Sequence, residues 1–169
     1  MTEPHMDEEP PEHGRYVRYL EALDVVPEAD EADLVAAVLR DDCVSMAQSA
    51  VNRHMERRAA ELLTDSRFPA WARMMAAVIG DRDFLAGRLR EWTLLRAIAL
   101  DEAWTAEEVT SASDWFQRTA AEIISSPDAL GLLAECGRTR RVRNAASRRI
   151  QESNGRTGAP SPAGSMNRS

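Results

Sequence analysis

The chain has 169 residues, with 28 acidic and 21 basic side chains and a formal charge of −7. That length suits one domain with a real core, and 44% hydrophobic with 29% charged residues excludes a wholly disordered chain. No stretch nears the roughly 20 apolar residues that span a bilayer. The acidic opening Met1-Thr2-Glu3-Pro4 is unlike a secretory signal peptide, and Cys43 and Cys136 are too few for a disulfide framework or a metal cluster, so a cytoplasmic location is expected.

All 21 basic residues are arginine, beside 27 alanines and five isoleucines, the bias of GC-rich bacterial coding. Helix formers dominate and strand formers are sparse, which predicts an all-α fold. Residues 1–14 carry Pro4, Pro10 and Pro11 among acids without apolar periodicity and read as a disordered acidic arm. A short helix near 15–23 (Tyr16, Val17, Leu20, Leu23) should follow. Asp30 can cap a helix over 31–39 and Asp42 a long one over 43–63, where Val44, Ala47, Val51, Met55, Ala59 and Leu62 recur at helical spacing. Pro69 suits a first helical position and Gly80 a stop, giving 69–79. Asp81 can cap 82–100 with Leu85, Leu89, Trp92, Leu95 and Ala99 inward.

Thr105 and Glu108 form a capping box, with Trp104 and Val109 placed as its hydrophobic staple. The helix they open should run to about Ser125, with Val109, Ala112, Phe116, Ala120 and Ile123 inward. Ser126-Pro127-Asp128 opens another that Gly137 ends, and a last one covers about 139–152. Gly, Ser and Pro enrichment marks 153–169 as a tail. The expectation is one helical domain over 15–152, an antiparallel bundle or short stack of about seven to eight helices.

Short connections make three antiparallel pairs: 31–39 with 43–63, 69–79 with 82–100, and 127–136 with 139–152. Two of them, over 31–63 and 127–152, resemble HEAT-type helical repeats in wording. Leu34-Val35-Ala36-Ala37-Val38-Leu39-Arg40-Asp41-Asp42 precedes Val44 and Ala47, and Ala129-Leu130-Gly131-Leu132-Leu133-Ala134 precedes Val142-Arg143-Asn144-Ala145-Ala146. The resemblance implies stacked helical hairpins; Ser45 after Val44 and the turn Gly137-Arg138-Thr139 depart from the pattern.

Catalytic chemistry finds no support. His5 and His13 lie in the acidic arm, and His54 has no second ligand at the spacing a metal pair requires, so it reads as a polar edge residue. No nucleophile elbow, phosphate-cradling glycine loop or dinucleotide motif occurs. The carboxylate pairs are explained by helix starts, and the four tryptophans by core packing. No catalytic residue, metal site or cofactor is therefore expected. Cys43 reads as a packed or half-buried thiol, although a helix N-terminus would favour its thiolate.

One feature rises above this background. Residues 1–33 hold eleven acids and two arginines, whereas 138–169 hold one acid and eight arginines. On a helix over 139–152, Val142, Ala145, Ala146 and Ile150 form the buried stripe. Arg140, Arg141, Arg143 and Arg148 then face outward, while Arg149 falls within the apolar arc. Cations near a terminal helix end could merely be favourable there. Otherwise the face could meet an acidic protein partner or the chain's own N-terminal arm. The expected function is that of a non-enzymatic protein-interaction module open to a regulatory role. The alternative is a nucleic-acid-associated regulator using the same helix, which a pI near 5.1 disfavours.

Overall fold

The computed structural model describes residues 11–157, in which every regular element is helical. The elements are α1 (Pro11–Val25), a single 3-10 turn (Glu28–Asp30), α2 (Glu31–Val38), α3 (Val44–Leu62), α4 (Phe68–Ile79), α5 (Asp83–Ala99), α6 (Ala106–Ser111), α7 (Asp114–Ile123), α8 (Pro127–Cys136) and α9 (Arg140–Thr157). Residues 11–14, expected in the arm, form the first turn of α1, and residues 153–157, expected in the tail, continue α9. The remainder of both expected termini, His5 included, lies outside the described residues. By their contacts the residues group into two compact units, Met1–Arg96 and Ala97–Ser169.

In the first unit, side-chain bonds between helix ends fix the helix directions. Glu31, opening α2, accepts from Trp71 Nε1 in the first turn of α4 at 2.9 Å. At the opposite ends, Arg82 donates to Ile79 O at 2.8 Å and to Leu39 O at 3.4 Å. Helices α2 and α4 therefore run parallel. Arg88 pairs with Glu56 at 3.4 Å, and Arg96 donates to Leu63 O at 2.6 Å, so α3 and α5 also run parallel. Helix α1 has the same direction: Tyr19 Oη donates to Asp41 Oδ2 at 2.7 Å just before α3, and Arg57 donates to Leu23 O at 3.1 Å further along it. Short turns reverse the chain between α2 and α3 and between α4 and α5. The unit is thus two antiparallel hairpins stacked in register, with α1 beside α3. Its core is a stripe from each helix: Val35 and Val38; Ala47, Val51, Met55 and Leu62; Phe68, Trp71, Met75 and Ile79; Leu85, Leu89, Trp92 and Leu95.

The second unit repeats the plan. Arg138 pairs with Asp114 at 3.4 Å where α7 and α9 begin, and Arg149 donates to Glu122 O and Ile124 O where α7 ends, so these two helices are parallel. Helices α6 and α8 are neighbours. The capping box is present, with Glu108 N donating to Thr105 Oγ1 at 3.2 Å and Thr105 N to Glu108 Oε2 at 2.8 Å. Ser126 also caps α8 through Ala129 N, and Gly137 ends it.

The single helix expected over 105–125 is instead two. Ala112 and Ser113 are extended, and the Ser113 side chain accepts from Phe116 N to cap α7. The carbonyls freed by this break are taken up by Gln117, which is fully buried. Its Nε2 donates to Val109 O and Thr110 O at 3.2 Å each, and its Oε1 accepts from Arg138 N at 2.8 Å. One amide thereby ties the α6–α7 turn to the α8–α9 turn. The break also re-sorts the apolar residues: Phe116 and Ala120 are buried as expected, but Ile123 is 42% exposed and Ile124 takes the inward place. The break thus yields two short helices, of which α6 packs on α8 and α7 on α9.

Candidate functional site

The arginines divide into two groups with different work. Most helix C-termini leave carbonyls without intrahelical donors, and here guanidinium groups supply them. Arg57 serves the end of α1, Arg82 the ends of both α2 and α4, and Arg96 that of α3. Arg138 reaches Ser111 O at the end of α6, and Arg149 binds two carbonyls closing α7. Arg143 Nη1 donates to Gly137 O, which caps α8, at 2.6 Å. Cations at the negative end of a helix dipole are stabilising, and a planar fork can reach two carbonyls, as Arg82 and Arg149 do and a lysine ammonium would do less well.

This assignment thins the arginine cluster. Arg138, Arg143 and Arg149 are committed to helix ends. Arg143 therefore departs from the outward orientation expected of it: it is half-buried and turned back onto α8. Arg140, Arg141 and Arg148 are exposed and form no ion pair among the described residues. Asn144 and Gln151 lie on the same side, so exposed positions 140, 144, 148 and 151 follow one stripe at helical spacing. Val142 and Ala146 are buried beneath it. Thr139 Oγ1 accepts from Val142 N at 3.2 Å and caps the helix. A polar pocket of about 310 Å³, lined by Ser125, Arg149, Glu152 and Ser153, lies further along the same helix.

Position within the helix corrects one expectation. Arg140 and Arg141 occupy the first turn of α9, which holds no acid. That is the positive end of the dipole, where cations are unfavourable by a few tenths of a kcal/mol to ~1 kcal/mol each. Local helix stability therefore opposes these two arginines.

A second polar cluster, which sequence reasoning missed, lies inside the first unit. Glu31 and His54 are 1% and 2% exposed. Glu31 Oε1 faces His54 Nε2 at 2.8 Å, Trp71 Nε1 at 2.9 Å and Arg58 Nε at 3.4 Å. On its other side, His54 Nδ1 lies 3.3 Å from Arg57 Nη2. Guanidinium can only donate, so Nδ1 accepts from Arg57 and Nε2 donates to Glu31. His54 is therefore an interior hydrogen-bond relay and not a polar edge residue. Burial alone would raise the Glu31 carboxyl pKa. The bonds from His54 and Trp71 and the charge of Arg58 outweigh it and bring the value down to about 2. With its acceptor oxygens engaged and no solvent access, Glu31 has no free face for a substrate; it joins α2, α3 and α4. Its sequence signal was an acid on the stripe shared with Val35 and Val38.

Among the described residues no group of His, Cys, Asp and Glu could hold a metal ion, and no helix is long and apolar enough to cross a membrane. His13 is exposed on α1, Cys43 half-buried and Cys136 exposed. The fold and this face define a class: an all-α protein with an exposed arginine face on the last described helix. No family model, no curated protein and no solved structure matches the chain.

Proposed function

We propose that the chain is a non-enzymatic, HEAT-like helical interaction module of the cytoplasm, and that Arg140, Arg141 and Arg148 bind an acidic protein surface. The observation that carries this reading is their placement: three exposed arginines without acidic partners among the described residues, two of them at the helix end where cations are disfavoured. A bound carboxylate would offset both the dipole and the mutual repulsion. The stacked hairpins support a binding role, since arrays of this kind present extended surfaces. Arg143, first grouped with these three, contributes charge while its guanidinium holds the end of α8.

Nucleic acid is the weaker reading, because three free arginines on a chain of charge −7 make a small phosphate footprint. A labelled Asp/Glu-rich peptide titrated by anisotropy tests the proposal. Wild type should bind at low salt, and Arg140→Gln, Arg141→Gln and Arg148→Gln together should weaken binding at least tenfold. Tighter binding of a single-stranded oligonucleotide of equal length, with a steep salt slope, would move the assignment to nucleic acid. Unchanged peptide affinity in the triple variant would refute it.

A further inference from the structure

Charge is distributed along this chain so that one copy carries both halves of a complementary contact. Between Glu21 and Leu39 the sequence holds six acids and no base. Of these, Glu31 is buried in the network above, Asp24 pairs with Arg57, and Glu28 pairs with Arg67. Glu21, Asp30 and Asp33 remain exposed, without an ion pair among the described residues, around the connection from α1 to α2. The segment 138–151 is the reverse case, with six arginines and no acid, three of them exposed and without an ion pair among the described residues. The acidic corner belongs to the first unit and the arginine stripe to the second.

We propose that the acidic partner of the α9 stripe is a second copy of this chain, which offers its α1–α2 corner. This rests on the reading that the stripe binds acidic protein, and it names the protein. The contact joins two different surfaces, so it is heterologous and propagates head to tail unless a ring closes. Net charge does not forbid it. At physiological ionic strength the screening length is about 8 Å, so charges elsewhere on two copies are largely hidden while facing side chains still meet. Because both surfaces are small and polar, the association should be weak, rapid and salt-sensitive.

Sedimentation velocity on the full chain tests this with two charge-reversed variants. One carries Arg140→Glu, Arg141→Glu and Arg148→Glu; the other carries Glu21→Arg, Asp30→Arg and Asp33→Arg. Wild type should gain mass with concentration in low salt and return to monomer at ~0.5 M salt, where the screening length is only about 4–5 Å. Each variant alone should be monomeric, and an equimolar mixture should associate again, since each then supplies the charge the other has lost. Neutral versions (Arg to Gln, Glu to Gln, Asp to Asn) should each lose self-association, and their mixture should stop at a dimer, because one keeps the acidic corner and the other the arginine stripe; they cover the case in which a reversed variant fails to fold by circular dichroism. Wild type that stays monomeric at ~100 µM in low salt, while the acidic peptide still binds, overturns self-association and leaves the interaction reading standing. Wild type that associates while the reversed mixture does not shows that other surfaces are used and also overturns it. Loss of peptide binding in wild type removes the underlying reading itself.

Discussion

Glu31 is the residue on which the interior of the first unit most depends. Its pKa is depressed to about 2 in the folded chain from an ordinary value near 4.5. A carboxylate with a lowered folded pKa contributes its full stability above the unfolded value, and that contribution is lost as pH falls through the folded value. Stability of this unit should therefore decline between about pH 4.5 and 2, by roughly 3 kcal/mol from this group. Glu31→Gln should cost about 1.5–3 kcal/mol near neutrality, because His54 and Trp71 lose a charged acceptor while half-buried Arg58 keeps only Glu61, and it should flatten that acid limb. Denaturant melts across pH measure both effects; a limb unchanged in the variant would place the acid sensitivity elsewhere. Gly137 is the second such residue. A Cβ there would collide with Leu133 O and meet Val142 Cγ1 at 2.8 Å, and the nearer atom is backbone that cannot swing aside. Gly137→Ala should cost about 1–3 kcal/mol through strain in the α8–α9 turn, read as a lowered midpoint at unchanged m-value.

At the scale of the element, helix ends carry the testable chemistry. Thr105→Ala removes one side of the capping box on α6 and should cost about 0.5–2 kcal/mol by thermal melt. An unchanged midpoint would mean that α6 forms without its cap. The end of α5 is built differently from the arginine-clamped ends. Glu102 N donates to Ala97 O and Asp101 N to Ile98 O, a Schellman closure that holds Asp101 at φ 56°. An L-residue is disfavoured there, and an acid also sits badly at the negative end of a dipole. Asp101→Gly should therefore stabilise by about 0.5–1 kcal/mol; a destabilised variant would show that the aspartate side chain supplies a compensating bond. The division of 105–125 into α6 and α7 has the same local origin. Ser113 competes for the backbone as an N-cap. The apolar repeat from Val109 through Phe116 to Ala120 continues across the break and conceals it.

For the whole molecule, the arginines set stability against interaction. Replacing Arg140, Arg141 and Arg148 by Gln removes cations from the positive end of α9 and relieves repulsion. The midpoint should hold or rise slightly, equivalent to ~0–1 kcal/mol, while binding to acidic protein falls. A clear loss of stability would instead make the stripe part of the fold. Truncating Arg149 to Met should do the opposite, lowering stability because Glu122 O and Ile124 O lose their donors. Melts of the two variants side by side therefore separate the arginines that close helices from those left for a partner.

Composition and periodicity by themselves determined that the chain is helical, where most helices begin and stop, and that Leu89 and Phe116 are buried, as both are. These properties are local: propensity, caps and the 3.6-residue stripe act within a few turns. The sequence also showed that arginine concentrates in 138–149, because that is a count. Only the tertiary structure decided which arginines are spent. Arg143 and Arg149 reach carbonyls six and 25 residues away, and Arg138 reaches one 27 residues away. The long-range partners cannot be inferred from the arginines' neighbours in the chain. The same reason kept His54 from view. Its partner Glu31 lies 23 residues earlier and Trp71, on the same carboxylate, 40 residues after Glu31. They meet because α2 and α4 stack in parallel, a consequence of packing that no local spacing encodes. Burial then makes the bonds obligatory, since a carboxylate removed from water must be paired.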